Sequence, residues 1–157
     1  MSASDVSRIA LSSMTTHGAL ECIDACKLMS SILYRAFQGY SKDQILNQSN
    51  LTFESKKIQA IAYGCYRGFE ADDCISTGYV VTTLETALWC FDHSESFEEA
   101  VLKAVNLGGD ADTIAAVTGQ IAGAYYGVEE IPKRWIQKTY KSNQIVQLVE
   151  ELYKGPL

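Results

Sequence analysis

Residues 106–127 read Asn-Leu-Gly-Gly-Asp-Ala-Asp-Thr-Ile-Ala-Ala-Val-Thr-Gly-Gln-Ile-Ala-Gly-Ala-Tyr-Tyr-Gly, and they constrain the fold more than any other stretch of the chain. Gly108 and Gly109 can adopt backbone angles closed to residues that carry a Cβ, so the chain can turn sharply there. Asp110 then occupies the N-cap position of a helix, with Asp112 and Thr113 in its first turn. From Thr113 to Tyr126 that helix carries no charge, and Gly127 ends it. Gly119 and Gly123 lie four apart on one face and allow another helix to approach closely.

The remainder of the chain reads as helices that surround this one. From Ala19 to Gln38 the apolar residues Leu20, Ile23, Cys26, Met29, Leu33 and Phe37 recur at helical spacing, and Gly39 is a stop. Ser41-Lys42-Asp43-Gln44 is a capping box for a short helix to about Asn47, and Ser96-Phe97-Glu98-Glu99 is a second one. Ile58, Ile61, Ala62 and Cys65 predict a long helix over 54–66. Leu84, Ala87, Leu88 and Phe91 predict another over 80–91. Pro132 suits the first turn of a short helix carrying Trp135 and Ile136, and Ile145 to Leu152 predicts a last one. Residues 1–17 are rich in Ser and Thr and end in a turn, and 68–77 read as a loop. No strand, repeat or linker is evident. The expected fold is therefore all-α, a compact bundle of about six to eight helices in a single domain over 1–157.

Length and charge restrict what such a bundle can do. A chain of 157 residues with 47% hydrophobic residues can bury a real core. A net charge of −6 argues against binding the phosphate backbone, so nucleic acid is not an expected partner. The most apolar run, 114–126, is too short to span a bilayer. No signal-peptide pattern opens the sequence, and a cytoplasmic protein without membrane partners is expected. Five cysteines form no CxxC pair and no even disulfide framework; Cys22 and Cys26 share a helix face and read as buried structural thiols.

Asp110, Asp112 and Thr113 supply hard oxygen donors, the chemistry preferred by Mg²⁺, Mn²⁺ or Ca²⁺. In a regular helix, side chains two apart diverge by roughly 200°, but an N-cap residue is not yet helical, so the two carboxylates can converge. Carboxylates at a helix start are equally well explained by the macrodipole. From the residues alone, ligation and capping both stand.

The whole run from Gly108 to Gly127 resembles the C-terminal signature of the ADP-ribosylglycohydrolase family, which includes the dinitrogenase-reductase-activating glycohydrolases. Further resemblance lies at Ser12, Thr16 and His17 before the first long helix, and at Gly78-Tyr79-Val80-Val81 with Leu84, Glu85, Ala87, Leu88 and Trp89. It covers about Ser12 to Tyr140. It implies metal-assisted removal of ADP-ribose from a modified side chain or related compound. Asp110, Asp112 and Thr113 would then be ligands of a paired Mg²⁺ or Mn²⁺ centre, with Asp110 and Asp112 catalytic through it. Substrate would be bound by Gly108 and Gly109, by Tyr79 packing on the adenine, and by His17 lining the pocket. For Tyr79 an ordinary half-buried tyrosine is the competing reading, and for His17 a capping or surface histidine.

The same resemblance implies a shortfall. Members of the family carry, in an N-terminal half, a Gly-Asp-Ala-x-Gly-like segment and a Thr-Asp-Asp triplet that supply further metal ligands, and neither occurs in this sequence. Asp72-Asp73 follows Glu70-Ala71 and reads as an exposed acidic loop instead. The expectation is a C-terminal half, truncated on the N-terminal side, that binds metal weakly and hydrolyses poorly alone. It would be completed by self-association or a complementary N-terminal chain, or would persist as a non-catalytic ADP-ribose-binding or structural module.

Overall fold

A computed structural model describes residues 3–155. Among the described residues there are nine α-helices, three short 3₁₀ turns and no strand. The helices are α1 (Ala3–Met14), α2 (Leu20–Phe37), α3 (Lys42–Leu46), α4 (Lys56–Ala62), α5 (Val80–Asp92), α6 (Phe97–Asn106), α7 (Ala111–Tyr126), α8 (Lys133–Lys138) and α9 (Ser142–Lys154). The all-α expectation holds, with one helix beyond the expected range. None is long and apolar enough to cross a membrane.

The centre of the bundle is α7, which packs against α2, α5 and α6. Ile114, Thr118, Ile121 and Ala122 are buried along it, the three- and four-residue rhythm of a helix face turned to a core. Helix α5 is buried nearly all round, from Val81 and Leu84 to Leu88 and Phe91. The glycine pair on α7 faces α6: a Cβ at Gly119 would lie 3.9 Å from Val101, and one at Gly123 would lie 3.7 Å from Phe97. Close approach thus occurs between α6 and α7, and it leaves room for a methyl group but little more.

Four sequence expectations are corrected. Residues 3–14 form α1, which packs on α2 and buries Ser13. A serine-rich segment lacks the apolar rhythm that reveals a helix, and this one is held by its neighbour. The predicted long helix at 54–66 is only α4, because Gly64 takes a left-handed φ of +80° and Cys65–Gly68 continues as a 3₁₀ turn. The second capping box is half a box: Ser96 Oγ accepts from the Glu99 N–H, but the Glu99 carboxylate accepts from Glu95 N–H.

The fourth correction concerns α2. Its buried face is Asp24, Ala25, Leu28, Ser31, Ile32 and Ala36, whereas Leu20 and Phe37 of the expected stripe are exposed. Asp24 is fully buried because its carboxylate is satisfied twice, by Lys27 Nζ at 3.0 Å and by the Ser55 N–H at 2.8 Å. Its second bond fixes the N-cap of α4 to α2. The other, partly apolar face of α2 remains open and forms the wall of a cleft.

Candidate ligand cleft

The turn into α7 has the form that the glycine pair suggested. Gly108 and Gly109 have φ of +70° and +59°. At Gly109 a Cβ would sit 2.5 Å from the Ser76 carbonyl oxygen, so both conformation and space require glycine there. Ser76 Oγ donates to the Gly108 carbonyl. The loop bearing Ser76 is itself tied down by α5, whose Thr83 Oγ1 donates to Thr77 O at 2.9 Å and Thr86 Oγ1 to Ile75 O at 3.2 Å. Two loops distant in sequence are thereby locked together at the N-terminus of α7.

Asp110 occupies the N-cap of α7, yet its side chain accepts no bond from the helix backbone. Its Oδ1 accepts from Thr113 Oγ1 at 3.0 Å, and its Oδ2 faces Gly78, where a Cβ would come within 3.2 Å. The carboxylate is therefore not used up in capping. Asp112, in the first turn, is exposed. The donor chemistry suits a hard divalent cation, but a cation of that kind wants about six oxygens. No group of three or more His, Cys, Asp or Glu able to hold a metal occurs among the described residues. The donors are right in kind and short in number.

Beside this corner lies a cleft of about 810 Å³ between α1, α2, α5 and α7. Thr16, His17, Glu21, Tyr79 and Thr113 are among the residues that line it. Ser13 Oγ donates to the His17 carbonyl at 3.0 Å, closing α1 and turning His17 outward to an exposed position beside Thr16. Tyr79 is 40% exposed. Its hydroxyl donates to Glu21 and accepts from Lys57 Nζ at 2.7 Å, while Lys57 and Glu21 pair at 3.1 Å. Tyr79 and then Lys57 hold the Glu21 carboxyl below its ordinary range, and Tyr79 and Glu21 raise the Lys57 ammonium.

His17, Tyr79 and Thr113, nearly a hundred residues apart at the extremes, are thus brought to one cleft, with Asp110 joined to it through Thr113. Asp112, Gly108 and Gly109 stand outside its lining. A model of the ADP-ribosylglycohydrolase family matches residues 3–156. The chain belongs to the ADP-ribosylglycohydrolase family. Its similarity to an ADP-ribosylarginine hydrolase, Tri1, of Serratia proteamaculans is 38% identity over 141 residues, 90% of this chain and 38% of that protein. The ADP-ribosyl-[dinitrogen reductase] glycohydrolase of Rhodospirillum rubrum is 43% identical over 63 residues, 40% of this chain and 21% of that protein. A solved structure described as an ADP-ribosylglycohydrolase-related protein complex superposes with a TM-score of 0.87 at 34% identity, covering 95% of this chain and 52% of that one. The matched stretches therefore span from about a fifth to about half of the length of these relatives.

Within this family member, other residues stand where sequence reading had not put them. Cys22 is half-buried and Cys26 exposed, both lining the cleft, so they are not core thiols. Burial does raise three other cysteines, Cys65 and Cys90 to about 12 and Cys74 to about 11, which favours the protonated thiol over the thiolate. Asp72 and Asp73 are exposed, with Asp73 accepting from the Glu70 N–H, as an acidic turn should. Glu21 and Lys57 were missed. The only available signal was Glu21 in a first helical turn, where a carboxylate needs no further reason.

Proposed function

We propose that this chain recognises an ADP-ribosyl group in its cleft and contributes part of the metal-assisted machinery that removes it from a modified side chain. The observation that carries this reading is the convergence of His17, Tyr79 and Thr113 on one cleft beside an aspartate that does not cap its helix. The names of the relatives support the same substrate class.

Asp110, Asp112 and Thr113 would hold Mg²⁺ or Mn²⁺, which when bound supplies ribose orientation and a more acidic water. Thr113 sets the Asp110 carboxylate through its hydroxyl. Tyr79 offers a ring face to the adenine, His17 lines the same cleft, and Gly108 and Gly109 would meet the substrate from the turn that leads to Asp110. Because the donor set is short, full activity calls for further oxygen ligands, which a complementary N-terminal polypeptide or another copy of this chain would supply, in a cytoplasmic setting. The short donor set also favours a second reading, a module that binds ADP-ribose without hydrolysing it.

Thermal unfolding with Mg²⁺ or Mn²⁺, with and without ADP-ribose, tests the proposal. At about 100 times Kd, a ligand specific to the folded state adds roughly 2.7 kcal/mol. The expected result is a rise requiring both metal and ADP-ribose and lost in Asp110→Ala. A rise with ADP-ribose alone, unchanged in Asp110→Ala, selects the binding module. No rise under any condition overturns both.

A further inference from the structure

Tyr79 is held by a latch drawn from three separate elements. Glu21 comes from the first turn of α2, Lys57 from the first turn of α4, and Tyr79 from the residue before α5. The phenol donates to Glu21 and accepts from Lys57, and these two charges pair with each other, so the three groups close a ring of contacts. A tyrosine hydroxyl has one proton to give and accepts readily once. Here both are committed within the protein, and the hydroxyl has nothing left for a ligand.

What remains available in the cleft is the ring. Lys57 Nζ lies 5.0 Å from the ring centroid, but it stands 2.7 Å from the hydroxyl oxygen, which puts it at the hydroxyl end rather than over the face. Lys57 therefore does not cover the ring face, and Tyr79, 40% exposed, lines the cleft where a flat group could stack on it. An unlatched, partly exposed tyrosine would sample several rotamers and lose affinity in being ordered by a ligand.

We infer that Glu21 and Lys57 are positioning residues that act through Tyr79, presenting its ring face so that the cleft selects ligands carrying a planar base. This rests on the proposed function, and it adds a determinant of selectivity in residues other than the aspartates. The consequence is a split between two probes. Ribose 5-phosphate shares the sugar and phosphate chemistry of ADP-ribose but has no base, so the latch should matter for one and not the other.

Calorimetric titration of the full chain in Mg²⁺ with ADP-ribose and with ribose 5-phosphate makes the test. Lys57→Met, Glu21→Gln and Tyr79→Phe should each weaken ADP-ribose by about five- to tenfold, the scale of losing part of a base-stacking contact. Ribose 5-phosphate affinity should not change, and Lys57→Arg should restore most of the loss. The Lys57→Met, Tyr79→Phe double variant should be no weaker than either single one, because both break one device. Equal losses for both probes with a fallen unfolding temperature would assign the latch a merely structural role and overturn the inference. So would unchanged ADP-ribose binding in the variants, with the proposed function left intact. Failure of the unaltered chain to bind ADP-ribose would overturn the proposed function, and the inference with it.

Discussion

Helices α7 and α9 both repeat apolar residues at helical spacing, and they meet opposite fates. On α7, Ile114 and Ile121 are wholly buried against α2, α5 and α6. On α9, no residue is buried, and Leu148 and Leu152 remain 59% and 81% exposed. A periodic pattern thus specifies which side of a helix is apolar, not whether anything covers it. Burial is worth roughly 25 cal/mol per Å² of apolar surface removed from water, and only α7 collects it.

The contrast is sharpest in truncation. Ile121→Ala should lower unfolding free energy by about 2–5 kcal/mol, since it opens a cavity that close-packed helices cannot fill. Leu152→Ala should change it by no more than about 0.5 kcal/mol. Urea denaturation of the two variants gives the numbers, and equal losses would show that α9 is covered in solution.

Glycines with positive φ repeat the lesson at smaller scale. Gly109→Ala must adopt a left-handed backbone and also collide with the Ser76 carbonyl, so a loss of more than about 2 kcal/mol is expected. Gly155, at φ +87° beyond the end of α9, has nothing within 4 Å, and its alanine variant should lose only the conformational part, about 1 kcal/mol. The same urea titration would separate them, and a loss at Gly109 no larger than at Gly155 would mean that Ser76 yields without cost.

Hydroxyls in the core differ in the same way. Thr118 is fully buried on α7, and its Oγ1 has no hydrogen-bond partner among the described residues. Thr118→Val should therefore stabilise the protein by about 1 kcal/mol. Thr83 is also buried, but its hydroxyl holds the Thr77 carbonyl, so Thr83→Val should destabilise by a similar amount. Thermal unfolding in parallel would give opposite shifts, and shifts of the same sign would break the comparison.

The smallest effect belongs to the surface latch. Its Glu21 carboxyl is held below the ordinary 4.5, with Tyr79 the first cause and Lys57 the second. A lowered carboxylate contributes stability that is present above 4.5 and is lost as pH falls through the folded-state value. The pH dependence of Tm below 4.5 should accordingly be shallower in Tyr79→Phe than in the unaltered chain. Identical slopes would mean that the bond does not persist in solution.

Much of the bundle was legible because its signals are local. Ser41 caps α3 and Gln44 returns the bond, as their spacing suggested. Helices α2, α5, α6 and α7 lie within a residue or two of where periodicity and stop residues put them. The Gly108-Gly109 turn and the Asp110 N-cap position could be read from four letters. Helix α1 could not, because its serine-rich sequence has weak periodicity and its order comes from α2. Nor could the buried Asp24 be foreseen, since an aspartate enters a core only when partners distant in sequence, here the Ser55 backbone, are brought to it.

What the sequence by itself determined is most of the helices, the Ser41 cap, and the run that marks the family: each depends on neighbours within a few residues, where backbone geometry leaves few choices. What only the tertiary structure decided is which faces are covered and which side chains meet. The cleft is made by joining Thr16 and His17, Glu21, Tyr79 and Thr113 across α1, α2, α5 and α7. Neither that meeting nor the Glu21–Tyr79–Lys57 latch has any signature at fixed spacing, because contacts between elements depend on how whole helices pack.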